Sequence, residues 1–436
     1  MKSAGTPASA TRLSVVALAA HLKKPVLITL ARVAGAALAF ALQLVLARSL
    51  SQDHLGIYFT AISAATVLAM VTAIGYPSAM VRFLLRYSVK GREAWRSRFI
   101  ANAERDTLVL SLCGLVALIA AAWFVLTDPA LGWALVVAAP LVPAIALMRI
   151  SGARAISEDR SYLGFLPDTI GRPMLTFLCV LALVAWQRNI TLIEATALTM
   201  LAGIAMAAMQ TVLVKRAARP TQRKSGAPSG NTRRLDRVWR RTGLALILPA
   251  LFSGLLVDVV LVWSSVFVSP DEIAILAIAA KLAFLSGFAG QALMQIDMPR
   301  ISRFYFAGEV AECRRLILRS IAIALAVSVA ALLFFTVAGA PILGLFGPDY
   351  VAGVPVLILM CVAMIARVPG LYALQLLTIA GRQTLINRIL PAIIAITLGL
   401  IAGFASPFGA TGIAAALALA LLVDSLIFAV LAYRQI

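Results

Sequence analysis

The stretch Lys215–Arg241, KRAARPTQRKSGAPSGNTRRLDRVWRR, lies in the middle of the chain and decides how the rest is interpreted. Ten of its residues are Lys or Arg, and one, Asp236, is acidic. Two prolines and two glycines disfavour a packed helix across its centre. Since long apolar segments flank it, we interpret it as a cytoplasmic linker between two membrane-embedded halves. A role in fixing topology is favoured, and contact with anionic lipid headgroups stays open.

The composition of the 436-residue chain points to lipid as its solvent. Hydrophobic residues make up 62% and charged residues 13%, with a mean hydropathy of +0.98. Soluble domains carry about 25% charged residues. The net charge of +20 could suggest nucleic acid. However, most of the basic residues fall in segments that a simple topology places on one side of a membrane, so no nucleic-acid partner is expected.

The apolar segments predict an all-α polytopic membrane protein with about twelve transmembrane helices, because a spanning helix needs about 20 apolar residues. They are 26–48, 55–76, 106–126, 130–148, 165–186, 191–214, 243–267, 272–295, 318–338, 352–378, 388–405 and 410–433. The turns after odd-numbered segments are short and poor in basic residues, whereas those after even-numbered segments are basic. This alternation places both termini in the cytoplasm.

An internal repeat accounts for two halves. LSQDHLGIYF from Leu50 aligns with VSPDEIAILA from Val268, so that Ser51 matches Ser269 at an offset of 218 residues. Two unrelated turns that share a Ser-x-Asp pattern are the alternative. A repeat of six helices keeps its orientation, so the halves would be related by a pseudo-two-fold axis along the membrane normal, with a cleft between them.

These patterns divide the chain into four parts. We expect a cytoplasmic lead-in at 1–25, an N-terminal six-helix bundle at 26–214, the basic linker at 215–241 and a C-terminal six-helix bundle at 242–436. The chain lacks phosphate-cradling, zinc-protease and serine-hydrolase motifs and has two histidines. We therefore expect no enzymatic activity, cofactor or metal site.

Ionisable residues inside the apolar segments are the functional candidates, because each costs about 3 kcal/mol or more to insert into a bilayer. Arg32, Lys281 and Arg367 would be prohibitive facing acyl chains. We expect them to face a hydrated cavity, where they would attract an anion. Asp258 could pair with Lys281 across adjacent helices or take part in ion coupling.

Other charged residues have a structural interpretation beside the functional one. Asp168 and Arg172 are spaced i,i+4, which predicts a local helix pair. Arg172 also stays a candidate for substrate binding, and Asp168 for a structural or ion-coupling pair. Arg48 and Arg149 sit at predicted segment ends, and we interpret them as snorkelling to the headgroups.

Several short stretches carry a family resemblance. The first segment runs from Arg32 through Ala47-Arg48 and a polar turn to Gly56-x-Tyr58, and PILGLFGPDYVAG begins at Pro341. ATGIAAALALALLVD begins at Ala410. Together they resemble the polysaccharide (O-antigen or exopolysaccharide) flippases of the superfamily that also holds the MATE exporters and the lipid II flippases.

The resemblance implies a MATE-like fold and a transport function in the bacterial inner membrane. Such proteins translocate a polyprenyl-pyrophosphate-linked oligosaccharide for surface polysaccharide biosynthesis. Arg32 and Lys281 match cationic positions of the family, and Arg32 would contact pyrophosphate. Besides the lipid-linked oligosaccharide and membrane lipids, the implied partners are a polysaccharide polymerase and a chain-length regulator.

Two alternatives remain open. One is a MATE-like ion-coupled exporter of small molecules, although exporters of cations need acids in the cavity and the balance of charge here is basic. The other is a membrane glycan polymerase or ligase. Such an enzyme would need a large outward loop with basic catalytic residues, and the longest predicted outward loop, Gly339–Val351, has none.

Overall fold

The computed structural model describes residue 31 and residues 33–124, 128–187, 189–217 and 232–434. Within these residues the chain is helical and contains no β-strand, as the sequence predicts. The lead-in at 1–25, the candidate Arg32 and the centre of the basic linker, 218–231, lie outside the described residues.

The first half begins with α1, Val33–Ser49. It continues with α2 (Gln52–Thr72), α3 (Tyr76–Val89), α4 (Glu93–Phe124), α5 (Pro129–Ala138), α6 (Leu141–Ser157), α7 (Ser161–Leu166), a π-helical turn (Pro167–Gly171), α8 (Arg172–Gln187) and α9 (Leu192–Ala217). The second half comprises α10 (Thr232–Gly254), α11 (Leu256–Ser264), α12 (Pro270–Ala307), α13 (Val310–Gly344), a 3₁₀ turn (Pro348–Gly353), α14 (Val354–Ile379) and α15 (Gln383–Tyr433).

Among the described residues, eight helices are long and apolar enough to cross a membrane. The pair α10 and α11 is bent by 76° and counts as a ninth candidate if it forms one span. At 1.5 Å per residue, α15 would be about 76 Å long, far more than the roughly 30 Å of a bilayer core. It is kinked at Gly409, where φ is 57°, and this kink lies between the predicted segments 388–405 and 410–433.

The helices extend beyond the predicted apolar segments. Residues 77–105, predicted as a basic loop, form α3 and the beginning of α4. α13 continues to Gly344, into the predicted outward loop. The last part of the basic linker, 232–241, belongs to α10. Hydropathy marks where side chains are apolar, whereas a helix can continue with charged residues into the headgroup region and beyond.

The two segments that carry the repeat begin in the same way. Ser51 precedes α2 with φ −63° and ψ 157°, and Ser269 precedes α12 with φ −67° and ψ 157°. The beginnings of α2 and α12 also contact each other directly. Gly56 leaves no room for a Cβ beside the Pro270 carbonyl oxygen, so glycine allows the two backbones to meet here.

Further contacts join the halves at this end, which the topology predicts to face outward. Arg48 donates from Nε to the Leu345 carbonyl oxygen (2.6 Å) and from Nη2 to that of Gly344 (3.2 Å). Gln52 donates to the Asp271 carbonyl oxygen at 3.3 Å. Arg48 therefore binds free carbonyls at the end of α13, where a cation is favourable.

At the opposite end, the beginning of α10 packs on the first half through an aromatic cluster formed by Tyr76, Phe83, Tyr87, Phe99 and Trp239. Trp239 is 1% exposed, and its indole N–H donates to the Tyr87 hydroxyl at 2.9 Å. We call this arrangement the aromatic clasp.

Two ion pairs flank the aromatic clasp. Arg98 contacts Asp236 at 2.8 Å, and Arg240 binds both carboxylate oxygens of Asp106 at 2.8 and 3.0 Å. Tyr76 also donates to Asp106, at 3.0 Å. The described end of the basic linker is therefore a docked helix.

Candidate functional site

The candidate site begins where α2 and α12 run beside each other. Ser63 on α2 and Lys281 on α12 are separated by 218 residues, the offset of the repeat. Each lies about 16 Å along its helix from the first residue, given a rise of 1.5 Å per residue. Since half of a bilayer core is about 15 Å, both residues lie near mid-membrane depth if these helices span it.

Lys281 and Ser63 meet a carboxylate from α11. The Ser63 hydroxyl donates to Asp258 Oδ1 at 2.9 Å, and Lys281 lies within electrostatic range of Asp258. The Lys281 ammonium also stands 3.9 Å from the centre of the Phe59 ring, a cation–π contact that stabilises a charge away from bulk water. Asp258 and Lys281 thus share one site, and the serine provides the direct bond to the carboxylate.

Two arginines of the first half add positive charge. Arg172 lies within electrostatic range of Asp258, Lys281 and Tyr58, and Arg149 within range of Asp258. Arg172 begins α8, directly after the π-helical turn. It contacts Asp168 at 3.1 Å, so the predicted i,i+4 pair is present.

Arg149 has a different role from the one that the sequence suggested. The apolar segment ends at residue 148, but α6 continues to Ser157, so Arg149 lies well inside a helix. Its Nε is buried and has no hydrogen-bond partner, as is true of the Arg172 Nε. Buried guanidinium N–H groups without acceptors are costly, which indicates that an acceptor binds here during function.

The charge of this cluster is positive. Around Asp258, the described residues provide three cations, Lys281, Arg149 and Arg172, of which Arg172 shares its charge with Asp168. The helices that supply them come from both halves of the chain. The arrangement can bind an anion, and the hydroxyls of Ser63 and Tyr58 lie beside it.

Arg367 lies elsewhere. It is 5% exposed on α14, donates to the Phe252 carbonyl oxygen at 3.2 Å and lies within electrostatic range of Asp424. It borders a cavity of about 30 Å³ among α12, α13 and α14, which also includes Gln291 and Tyr372. Of the predicted cations, Lys281 and Arg172 therefore come together, Arg367 has partners within the second half, and Arg32 is outside the described residues.

A metal site is absent from the described part of the chain, where no three His, Cys, Asp or Glu side chains lie close enough to hold an ion. The sequence contained a signal for Arg149 that hydropathy alone did not use. Arg149 and Arg367 are also 218 residues apart, so the repeat places an arginine at corresponding positions of α6 and α14.

Solved structures with the same fold are transporters and flippases. An inward-facing MATE-family multidrug transporter of the MOP superfamily aligns over 93% of this chain and 98% of its own, with a TM-score of 0.71 and 14% identity. A structure of the lipid II flippase MurJ, in an inward closed conformation, aligns over 94% and 87%, with a TM-score of 0.74 and 12% identity.

A third similar structure is a MOP superfamily transporter from Pyrococcus furiosus, described as having a binding pocket of reverse polarity (TM-score 0.61, 13% identity, 94% and 93% coverage). No protein-family model and no curated protein matches the sequence. The chain therefore has the fold of the MOP superfamily transporters.

Proposed function

We propose that this protein is a flippase that moves a polyprenyl-pyrophosphate-linked oligosaccharide across the bacterial cytoplasmic membrane. The observation that carries the proposal is the positive cluster of Lys281, Arg149 and Arg172, between the halves of a MOP-type fold. A pyrophosphate is a multivalent anion, and guanidinium and ammonium groups are its natural donors. The buried, unbonded Nε atoms of both arginines supply donors for it.

The second component of such a substrate is apolar. An apolar cavity of about 70 Å³ lies beside the bend between α10 and α11, lined by Leu251, Phe252, Val259 and residues of α15. A prenyl chain needs apolar surface next to the site that holds its headgroup, because its burial in water costs about 0.8 kcal/mol per methylene group. This cavity supports a lateral contact between the lipid tail and the second half.

The mechanism follows from a site shared by two repeats. The proposed arrangement is twelve spans in two six-helix bundles, with both termini in the cytoplasm, and alternating access by rocking of one bundle against the other. Contacts of Arg48, Gln52 and Gly56 with the second half hold the predicted outward end together. Opening of that end would release the sugar outward while the prenyl tail stays in lipid. The partners remain those named above, including the polymerase and chain-length regulator.

The test is flipping in proteoliposomes. Purified protein is reconstituted with polyprenyl-pyrophosphate-linked oligosaccharide, and exposure of the glycan at each leaflet is measured with and without a proton or sodium gradient. We expect Lys281→Gln and Arg149→Gln to reduce the rate by about 10- to 150-fold, since a hydrogen bond to a charged group contributes about 1.5–3 kcal/mol. Arg86→Gln, an exposed arginine on α3, is the matched control.

Wild-type rates in both cavity variants would overturn the anion-site mechanism. Transport of small organic cations, with no movement of the glycan lipid, would show a MATE-like exporter instead. Arg32→Ala is the companion variant, because Arg32 remains a sequence prediction. It should reach the membrane in normal amounts and leave the glycan lipid on the cytoplasmic leaflet.

A further inference from the structure

The carbonyl of Phe252 lies at a helix break. α10 ends at Gly254 and α11 begins at Leu256 after a bend of 76°. The last carbonyls of a helix have no partner within it. The Leu255 N–H still bonds to the Leu251 oxygen at 2.9 Å, whereas the Phe252 oxygen accepts a hydrogen bond from Arg367 Nη2. Arg367 therefore binds a carbonyl at the end of α10, where the helix dipole favours a cation.

The helix that carries Arg367 is itself interrupted at this point. Pro369 lies inside α14, and a Ser425 hydroxyl from α15 is inserted beside it. Ser425 Oγ donates to the Ala366 carbonyl oxygen and accepts from the Gly370 N–H at 3.1 Å. Two discontinuous helices, α10–α11 and α14, thus meet around the Arg367 guanidinium.

A buried carboxylate completes the surroundings. Asp424 precedes Ser425 on α15, is 3% exposed and lies within electrostatic range of Arg367. Its Oδ1 has no hydrogen-bond partner. The Phe284 ring lies 5.4 Å from Arg367 Cζ. A freed carbonyl, a buried carboxylate and an aromatic face are groups that attract a cation.

We propose that the Arg367 guanidinium is a built-in cation that occupies a place where a monovalent metal ion would otherwise bind. Discontinuous helices of transporters use freed carbonyls to coordinate such ions. Here the ligand is covalently attached to α14, so the second half keeps its bend without a bound metal. Because Asp258 follows the bend directly in α11, Arg367 also acts as a positioning residue for the central site.

The repeat shows how this assignment differs from a binding role. Arg149, the corresponding residue of the first half, lies near Asp258 and retains a buried Nε without an acceptor. Arg367 instead contacts the backbone of a neighbouring helix. Of two arginines at corresponding positions, one is available for a ligand and the other is part of the architecture.

Thermal unfolding of the purified full-length protein in detergent tests the proposal without any transported substrate. Melting temperatures are compared in sodium chloride, in N-methylglucamine chloride and with added methylguanidinium. We expect no difference among them for the wild type. Arg367→Ala should melt about 3–5 °C lower, as for the loss of one partner of a buried charge pair in a chain of this size. Sodium or methylguanidinium should restore part of this loss.

The controls separate the charge from general damage. Arg367→Lys keeps a cation and should show no response to sodium, and the exposed Arg86→Ala should behave as the wild type. If Arg367→Ala does not fold, the double variant Arg367→Ala/Asp424→Asn decides, since removal of the uncompensated carboxylate should recover folded protein. An unchanged melting temperature in Arg367→Ala, or a loss that no cation relieves, would overturn the proposal. So would a double variant that fails to fold.

Discussion

Substitution of Gly56 by alanine tests whether close contact between α2 and α12 keeps the predicted outward end closed. A Cβ at this position would overlap the Pro270 carbonyl oxygen and lie 2.5 Å from the carbonyl carbon. Carbon atoms pack at about 3.5–4.0 Å, so the two helices must separate by about 1 Å or more. Overpacking of this kind costs about 1–3 kcal/mol, which exceeds the gain of up to about 1 kcal/mol from alanine in a helix.

This cost falls on the state in which the outward end is closed. An open state would be relieved of it, so its population relative to the closed state should rise about 5- to 150-fold. The assay is the rate at which a membrane-impermeant thiol reagent, added from outside, modifies a Ser63→Cys reporter in a background without native cysteines. Ser63 lies at the central site, so its modification reports an open path.

Gly399→Ala is the matched control. Gly399 is also helical, and a Cβ there meets no atom within 4 Å. It should leave the labelling rate unchanged and raise stability slightly. Equal labelling rates in the Gly56 and Gly399 variants would show that the contact of α2 with α12 does not control access.

Two further predictions concern the aromatic clasp. Trp239→Ala should lower the free energy of unfolding by about 3–5 kcal/mol, as for a fully buried aromatic side chain, whereas Trp186→Ala, 86% exposed, should change it little; denaturant titration in detergent measures both, and similar losses would contradict burial of Trp239. Asp106→Asn should cost about 1–2 kcal/mol, a modest value because the Arg240 side chain is 51% exposed. A double-mutant cycle with Arg240→Gln should give a coupling energy above about 0.5 kcal/mol, and additive losses would show that the pair is not coupled.

Much of the architecture could be predicted because bilayer physics constrains a sequence strongly. Apolar length indicated the helices, and the offset between Ser51 and Ser269 predicted that α2 and α12 begin alike. The pairing of Asp168 with Arg172 followed from helix geometry alone. Each of these predictions depends on local spacing, which a single sequence records.

The features that were missed depend on tertiary contacts. Arg149 was assigned to a segment end because its neighbours are polar, and its proximity to Asp258 arises from packing of the two halves. The bend between α10 and α11 falls inside a predicted straight span, although Gly254 at that point was an available signal. Arg367 was predicted for the central cavity, because sequence does not show which buried cation is already bound by a backbone carbonyl.

The aromatic clasp has a consequence for the order in which the protein is made. The first half leaves the ribosome before Trp239 has been synthesised, so the groove formed by Tyr87 and Phe99 has nothing to fill it until α10 arrives. A nascent chain that stops inside the linker would therefore present bare aromatic surface at the membrane face, where quality-control proteases act. Maturation of the first half depends on a tryptophan encoded after it.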